Sequence, residues 1–164
     1  MTDADTTGAA AVLAAARKAG VMIATAESCT GGMIAAALTE IAGSSDVVDR
    51  GFVTYSNAAK VEMLGVRPGT LDTHGAVSEE TAAEMAAGAL ARSRAGLAVS
   101  VTGIAGPGGS ATKPEGRVCF GIADPGGVRT ETVEFGAIGR AQVRAAATAH
   151  ALALLQAALQ PAKD

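Results

Sequence analysis

Val21-Met22-Ile23-Ala24-Thr25-Ala26 runs without a break into Glu27-Ser28-Cys29-Thr30-Gly31-Gly32, and Gly32-Met33-Ile34-Ala35-Ala36-Ala37-Leu38-Thr39-Glu40-Ile41-Ala42-Gly43 follows. The first stretch is a short apolar run with β-branched residues, which predicts a buried strand over 21–26. The last has helical character. Strand, polar glycine turn, helix is the geometry in which a helix N-terminus faces a ligand. Ser28 stands at the junction, where backbone N–H groups of the coming turn can stabilise a developing oxyanion. Glycines there let a backbone approach a substrate closely. The competing reading is that Ser28 or Thr30 only caps the helix.

Upstream, residues 1–6 read as a frayed tail, and Thr7 as the cap of a helix over 8–19 that Gly20 ends. Downstream, 51–56 (GFVTYS) predicts a second strand and 57–64 (NAAKVEML) a short helix, with Gly65 as its stop and Pro68 just beyond. Ser78 suits an N-cap, with Glu79 and Glu80 favourable in the first turn of a helix to about residue 95. Residues 97–103 (LAVSVTG) predict a third strand feeding the glycine-rich loop 103–116. Residues 117–123 and 128–135 predict an antiparallel pair across Pro125-Gly126-Gly127. A final helix covers about 139–159. Helices interleave with strands, so the class is α/β, with helices on both faces of a mixed sheet. The length of 164 residues suits one domain spanning the chain.

Composition narrows the function. The net charge is −3 and the cations are scattered, without the basic stripe of a duplex-binding protein. One Tyr, three Phe and no Trp leave few rings for stacking on bases. No nucleic-acid partner is expected. The N-terminus is polar and acidic, unlike a signal peptide. No apolar run nears the ~18 residues of a membrane span. Cys29 and Cys119 form no CxxC pair, so neither zinc nor any other metal is expected, and a reducing, cytoplasmic setting fits.

Four constellations can carry chemistry. The first is the Ser28 turn. A serine hydroxyl needs a base, and no Ser-His-Asp arrangement is evident: His74 falls in a loop and His150 inside the last helix. The second, Tyr55-Ser56-Asn57-Ala58-Ala59-Lys60, offers a lysine that can serve if burial lowers its pKa, with a tyrosine beside it as relay. Read alone, the motif favours Tyr55 as an ordinary strand aromatic and Lys60 as a solvated helix residue. The third is Ser100-Val101-Thr102-Gly103-Ile104-Ala105-Gly106-Pro107-Gly108-Gly109, whose glycine N–H groups can receive an anion or a carboxamide oxygen. It matches neither a Walker loop nor GxGxxG. The fourth is Arg140 and Arg144, four apart on one helix face, a pair that suits a phosphate or a solvated face. Cys29 is an alternative nucleophile, because a thiol at a helix N-terminus has a lowered pKa, or else a small buried spacer. Glu27 either orients the site or holds the turn.

Taken in order, TAESCTGG, IAGSS, GFVTYSNAAK, LGV, HGAVSEETAAEMA, SVTGIAGPGG and KPEGRV resemble the CinA C-terminal-domain family, also called the competence/damage-inducible protein family. The resemblance runs from about residue 10 to residue 158. It implies a three-layer α/β/α sandwich and pyridine-nucleotide salvage. The implied reaction is hydrolysis of the carboxamide of nicotinamide mononucleotide to nicotinate mononucleotide and ammonia, with no cofactor and no metal. It implies Ser28 as nucleophile and Tyr55 and Lys60 as the activating pair. Glu27, Cys29, Thr30, Gly31, Gly32, Thr102, Gly103, Ala105, Gly106, Arg140 and Arg144 are the implied substrate-binding residues. Oxyanion donors would come from Cys29–Gly32 or the 103–106 loop. A homodimer is also implied. The chain departs from the family in lacking the larger N-terminal domain of some relatives, and in a slightly longer segment 135–139 before Arg140. Glu115 and Arg117 also stand where apolar and small residues are usual. The competing class is a non-catalytic nucleotide-binding or regulatory partner linked to competence or DNA damage. A nicotinamide-dependent reductase is disfavoured, since Tyr55 and Lys60 miss the Tyr-x-x-x-Lys spacing.

Overall fold

The computed structural model describes residues 3–161, with side chains from residue 8 onward. Among the described residues six α-helices and five strands follow in the order α1 (Asp3–Ala19), β1 (Ile23–Glu27), α2 (Met33–Thr39), β2 (Val48–Val53), α3 (Asn57–Leu64), α4 (Pro68–His74), α5 (Glu79–Ala91), β3 (Leu97–Gly103), β4 (Arg117–Asp124), β5 (Gly127–Glu134) and α6 (Arg140–Leu159). The sheet order is β2-β1-β3-β4-β5. β1 pairs in parallel with β2 and β3, whereas β3–β4 and β4–β5 are antiparallel. The sheet is mixed, and its two faces carry different helices.

Alternation along the strands builds the two cores. Ile23, Val99, Val101 and Phe120 face a core with Val12 and Leu13 of α1, Ile34 and Leu38 of α2, and Val143 and Leu152 of α6. Ala24, Ala26, Ala98 and Ala123 face the other side, against Leu64 of α3 and Met85, Ala86 and Ala89 of α5. The small residues on that second face draw the layers together. Ser100 Oγ donates to the Ala82 carbonyl of α5 at 2.6 Å. A methyl placed on Gly121 of β4 would come 2.7 Å from that same oxygen, and one on Gly88 of α5 would come 2.0 Å from the Leu64 carbonyl of α3. Only glycine permits these approaches.

Several boundaries differ from the sequence reading. α1 begins at Asp3, not after a Thr7 cap, because nothing before Gly8 breaks a helix; Met1 and Thr2 of the expected tail lie outside the described residues. β2 runs over 48–53, not 51–56, and Tyr55 lies beyond it. His74 is the last residue of α4, a helix opened by Pro68 at its first position. α5 stops at Ala91, short of residue 95. The expected caps Ser78 and Gly65 are present: Ser78 Oγ accepts from the Thr81 N–H, and Gly65 is left-handed at φ 70°.

Candidate active site

β1 lies where the chain turns from one side of the sheet to the other, since β2 and β3 flank it in parallel. In open α/β sheets, ligands bind outside the carboxyl ends of the strands at such a switch point. Three segments leave the sheet there: the Ser28 turn after β1, Thr54–Ser56 after β2 and Gly103–Gly106 after β3. Ser28 still belongs to the ladder through its N–H, which donates to the Val101 carbonyl of β3 at 2.9 Å. The Thr54 N–H in turn donates to the Glu27 carbonyl at 2.9 Å.

Ser56 caps α3 by accepting from the Ala59 N–H at 3.0 Å, and one turn into that helix Lys60 points inward. Its side chain is only 1 % exposed. Nζ donates to the Thr54 carbonyl at 2.9 Å and lies 3.0 Å from Ser28 Oγ. Among the described residues no carboxylate shares this contact, and burial, the principal influence, holds the Lys60 pKa below its usual value. In the ammonium form Nζ donates to Ser28; in the amine form the same contact lets the hydroxyl donate to nitrogen. A serine beside a buried amine whose proton is held less tightly than usual has the arrangement that nucleophilic catalysis requires.

Glu27 is fully buried, and it uses the positive end of α2. Its Oε1 accepts from Thr30 Oγ1 at 2.6 Å, the Ile34 N–H at 2.9 Å and the Gly32 N–H at 3.3 Å, while Oε2 accepts from the Ala35 N–H at 3.0 Å. The Gly31 N–H donates to the Ser28 carbonyl at 3.0 Å. The helix end is thus capped from within by a carboxylate. The N–H groups of Cys29 and Thr30, by contrast, donate to no other residue among the described ones. Glu27→Ala would strand four donors, one a hydroxyl and three backbone N–H groups. The expected loss is at least about 3 kcal/mol, seen as a melting point lower by roughly 6–12 °C; Glu27→Gln, which keeps an acceptor, should lose less.

Cys29 does not have the lowered pKa of a reactive thiol. Burial pushes it up to about 11. Cys29 and Cys119 are both free and buried.

The cavity at the strand ends measures about 210 Å³ and is lined by Ser28, Cys29, Tyr55, Asn57, Lys60, Ala76, Val77, Thr102, Gly103, Ala105 and Arg140. Tyr55 is 62 % exposed at the rim. Its hydroxyl accepts from Arg140 Nη2 at 2.9 Å, and Arg140 Nη1 donates to the Gly106 carbonyl at 2.7 Å. Among the described residues no hydrogen bond joins Tyr55 to Lys60. Arg144 does not line the cavity. Its Nε and Nη2 donate to the Cys29 and Thr30 carbonyls at 3.1 and 3.3 Å. Glu27, Thr30, Gly31, Gly32 and Gly106 likewise stand behind or beside the cavity wall. The unusual Glu115 and Arg117 stay out of it: Glu115 accepts from the Gly108 N–H, and Arg117 pairs with Glu134 at 2.6 Å.

Residues 5–159 match the family model for the CinA C-terminal domain. The chain belongs to the CinA C-terminal domain family. It is 55 % identical over 142 residues to a CinA-like protein of Mycolicibacterium vanbaalenii, covering 86 % of this chain and 34 % of that one. It spans about a quarter to a third of the length of such CinA-like relatives. It is 54 % identical over 137 residues to the nicotinamide-nucleotide amidohydrolase PncC of Escherichia coli K12, covering 83 % of each chain. The crystal structure of the competence/damage inducible protein CihA from Agrobacterium tumefaciens superposes with a TM-score of 0.94 at 53 % identity, covering 98 % of both chains.

In this CinA domain, sequence reasoning brought Ser28, Cys29, Tyr55, Lys60, Thr102, Gly103, Ala105 and Arg140 to the list, and all line one cavity. It passed over Asn57, the first residue of α3, although that residue sits inside a motif already singled out. It also passed over Ala76 and Val77. Their loop is tied to the glycine-rich loop by Lys113 Nζ, which donates to the His74 and Val77 carbonyls. Thr102 Oγ1 adds a bond to the Ala76 carbonyl at 2.8 Å. No residue-type pattern announces partners that are backbone carbonyls.

Proposed function

We propose that this CinA domain is an amidohydrolase that converts nicotinamide mononucleotide to nicotinate mononucleotide and ammonia through a Ser28 acyl-enzyme. The observation that carries the reading is the buried 3.0 Å contact between Lys60 Nζ and Ser28 Oγ in the wall of a cavity. The name of the PncC relative supports the substrate class. The cavity, about 210 Å³, lies below the ~300–1,000 Å³ of sites that enclose a whole drug-sized ligand. It suits a pyridine carboxamide ring and leaves ribose and phosphate at the rim, where Arg140 offers a fork for the phosphate. Tyr55 and Arg140 together form the rim against which the nucleotide rests.

In this mechanism the Lys60 amine takes the Ser28 proton as Oγ attacks the carboxamide carbon. The oxygen becomes an anion facing the Cys29 and Thr30 N–H groups. Lys60 returns the proton to the departing nitrogen, ammonia leaves, and water is activated by the same amine to cleave the ester. The positive pyridinium nitrogen of the nucleotide draws electrons from the carboxamide and eases the attack. Nicotinamide itself lacks both that charge and the phosphate.

The reading extends to a homodimer acting in the cytoplasm without nucleic acid. β2 and β5 are the two free edges of the sheet on which a second copy could pair. The deciding assay is ammonia release by purified protein, with nicotinamide mononucleotide and nicotinamide side by side and the sedimentation mass recorded on the same sample. Turnover of the nucleotide well above that of nicotinamide is expected. No release from either, in folded protein, rejects the amidohydrolase.

A further inference from the structure

We infer that Arg144 is a positioning residue for the oxyanion site, acting on the Cys29–Thr30 peptide and not on the substrate; this rests on the amidohydrolase reading of Ser28 and Lys60. Arg140 and Arg144 lie one helical turn apart on α6 and share a face, yet their guanidinium groups end in different places. Arg140 reaches the cavity rim. Arg144, half-buried, turns beneath the nucleophile turn and grips two consecutive carbonyls, Cys29 and Thr30. Among the described residues no carboxylate pairs with it. Gly31 leaves room for this grip: its φ is +58°, and a methyl on it would come 3.3 Å from Arg144 Nη2.

The carbonyl of Cys29 and the N–H of Thr30 belong to one planar peptide and point in opposite directions. A guanidinium fixed on that carbonyl therefore aims the N–H away from α6. The bond is charge-assisted. It also draws electron density toward the oxygen, which strengthens the N–H as a donor. From the other side Glu27 holds the Thr30 hydroxyl and the Gly32 N–H. The turn is thereby clamped between a carboxylate on its donors and a guanidinium on its acceptors. The Cys29 and Thr30 N–H groups are the two left over.

The test is steady-state kinetics with nicotinamide mononucleotide for wild type, Arg144→Gln and Arg144→Lys, together with binding of pyridine-3-boronic acid, which forms a tetrahedral adduct on an activated serine. Arg144→Gln is expected to lower kcat about 10- to 100-fold, somewhat less than loss of a whole donor, with KM within about threefold. Boronate affinity should fall in step with kcat, while nicotinamide affinity holds. Arg144→Lys, which keeps the charge but can reach one carbonyl, should recover part of the loss. A merely structural arginine would lower the melting temperature without separating boronate from nicotinamide binding, and that result overturns the inference. A loss confined to KM overturns it in favour of a phosphate ligand. An unchanged kcat beside an active wild type overturns it alone, whereas a wild type that releases no ammonia overturns the amidohydrolase reading and this inference together. Should Arg144→Gln not fold, Arg144→Lys decides, and an undiminished kcat in it rejects the assignment.

Discussion

Ser28→Ala is expected to lower ammonia release from nicotinamide mononucleotide by at least about 10,000-fold, with a melting temperature near that of the wild type. The side chain lost is small and 8 % exposed. Its backbone bond to Val101 and the Lys60 bond to Thr54 both survive the change. The fold should therefore persist while the attacking atom is gone. On the proposed mechanism the loss is large because a nucleophile and its base act as a unit, and removing either leaves only binding and oxyanion stabilisation. Cys29→Ala provides the contrast. With its thiol raised to about 11 by burial, Cys29 is protonated at neutral pH and should be dispensable to within about tenfold. An active Ser28→Ala beside an inactive Cys29→Ala would transfer the nucleophile to sulfur.

Lys60→Met should abolish turnover almost as completely, by at least about 100- to 10,000-fold, and at the same time raise the melting temperature. The wild-type amine is buried and, among the described residues, has no counter-charge, so folding favours its neutral form. The sign for stability follows directly. The unfolded chain holds the Lys60 proton up to the ordinary lysine range near ~10.4, while the folded chain releases it at lower pH. Between those limits the unfolded state binds more protons, so wild-type stability rises with pH across that window. Lys60→Met removes that dependence. The rate has the same origin: kcat/KM should climb with pH as Lys60 loses its proton, along an acid limb centred below ~10.4. Lys60→Arg keeps a charge that cannot be shed and should be inactive at every pH. Full activity in either variant would remove Lys60 from the base role.

How much of this was legible in the chain depends on where the information resides. β3, β4 and α3 are written locally: LAVSVTG is a short Leu- and Val-containing run that is buried almost throughout, RVCFGIA precedes a Pro-Gly turn, and NAAKVEML sits between a serine cap and a glycine stop. β2 is displaced because it is an edge strand of VDRGFV, half-exposed and polar, while the more apolar FVTY continues past its end. α4 escapes because PGTLDTH buries only Thr70 and lacks an apolar face. At the site, the residue types were visible but their pairings were not. Lys60 meets Ser28 because β1 and β2 lie side by side in parallel, a tertiary fact. The expectation of a helix N-terminus open to the substrate fails for a nearer reason: Glu27, adjacent to Ser28 in sequence, already occupies it.

The close approach of α3 to α5 reaches into the chemistry from a layer away. Lys60 rides on α3, and α3 rests its Leu64 carbonyl where a single methyl on Gly88 would stand. Any side chain at Gly88 would push that helix outward and carry the amine off the hydroxyl, although Gly88 touches no substrate. The reach of the Lys60 amine is thus set by an absence of atoms in a neighbouring helix. In evolutionary terms, the Lys60–Ser28 contact constrains which residues can drift on a face of the sheet remote from the cavity, and on the proposed mechanism a Gly88→Ala change is expected to cost turnover.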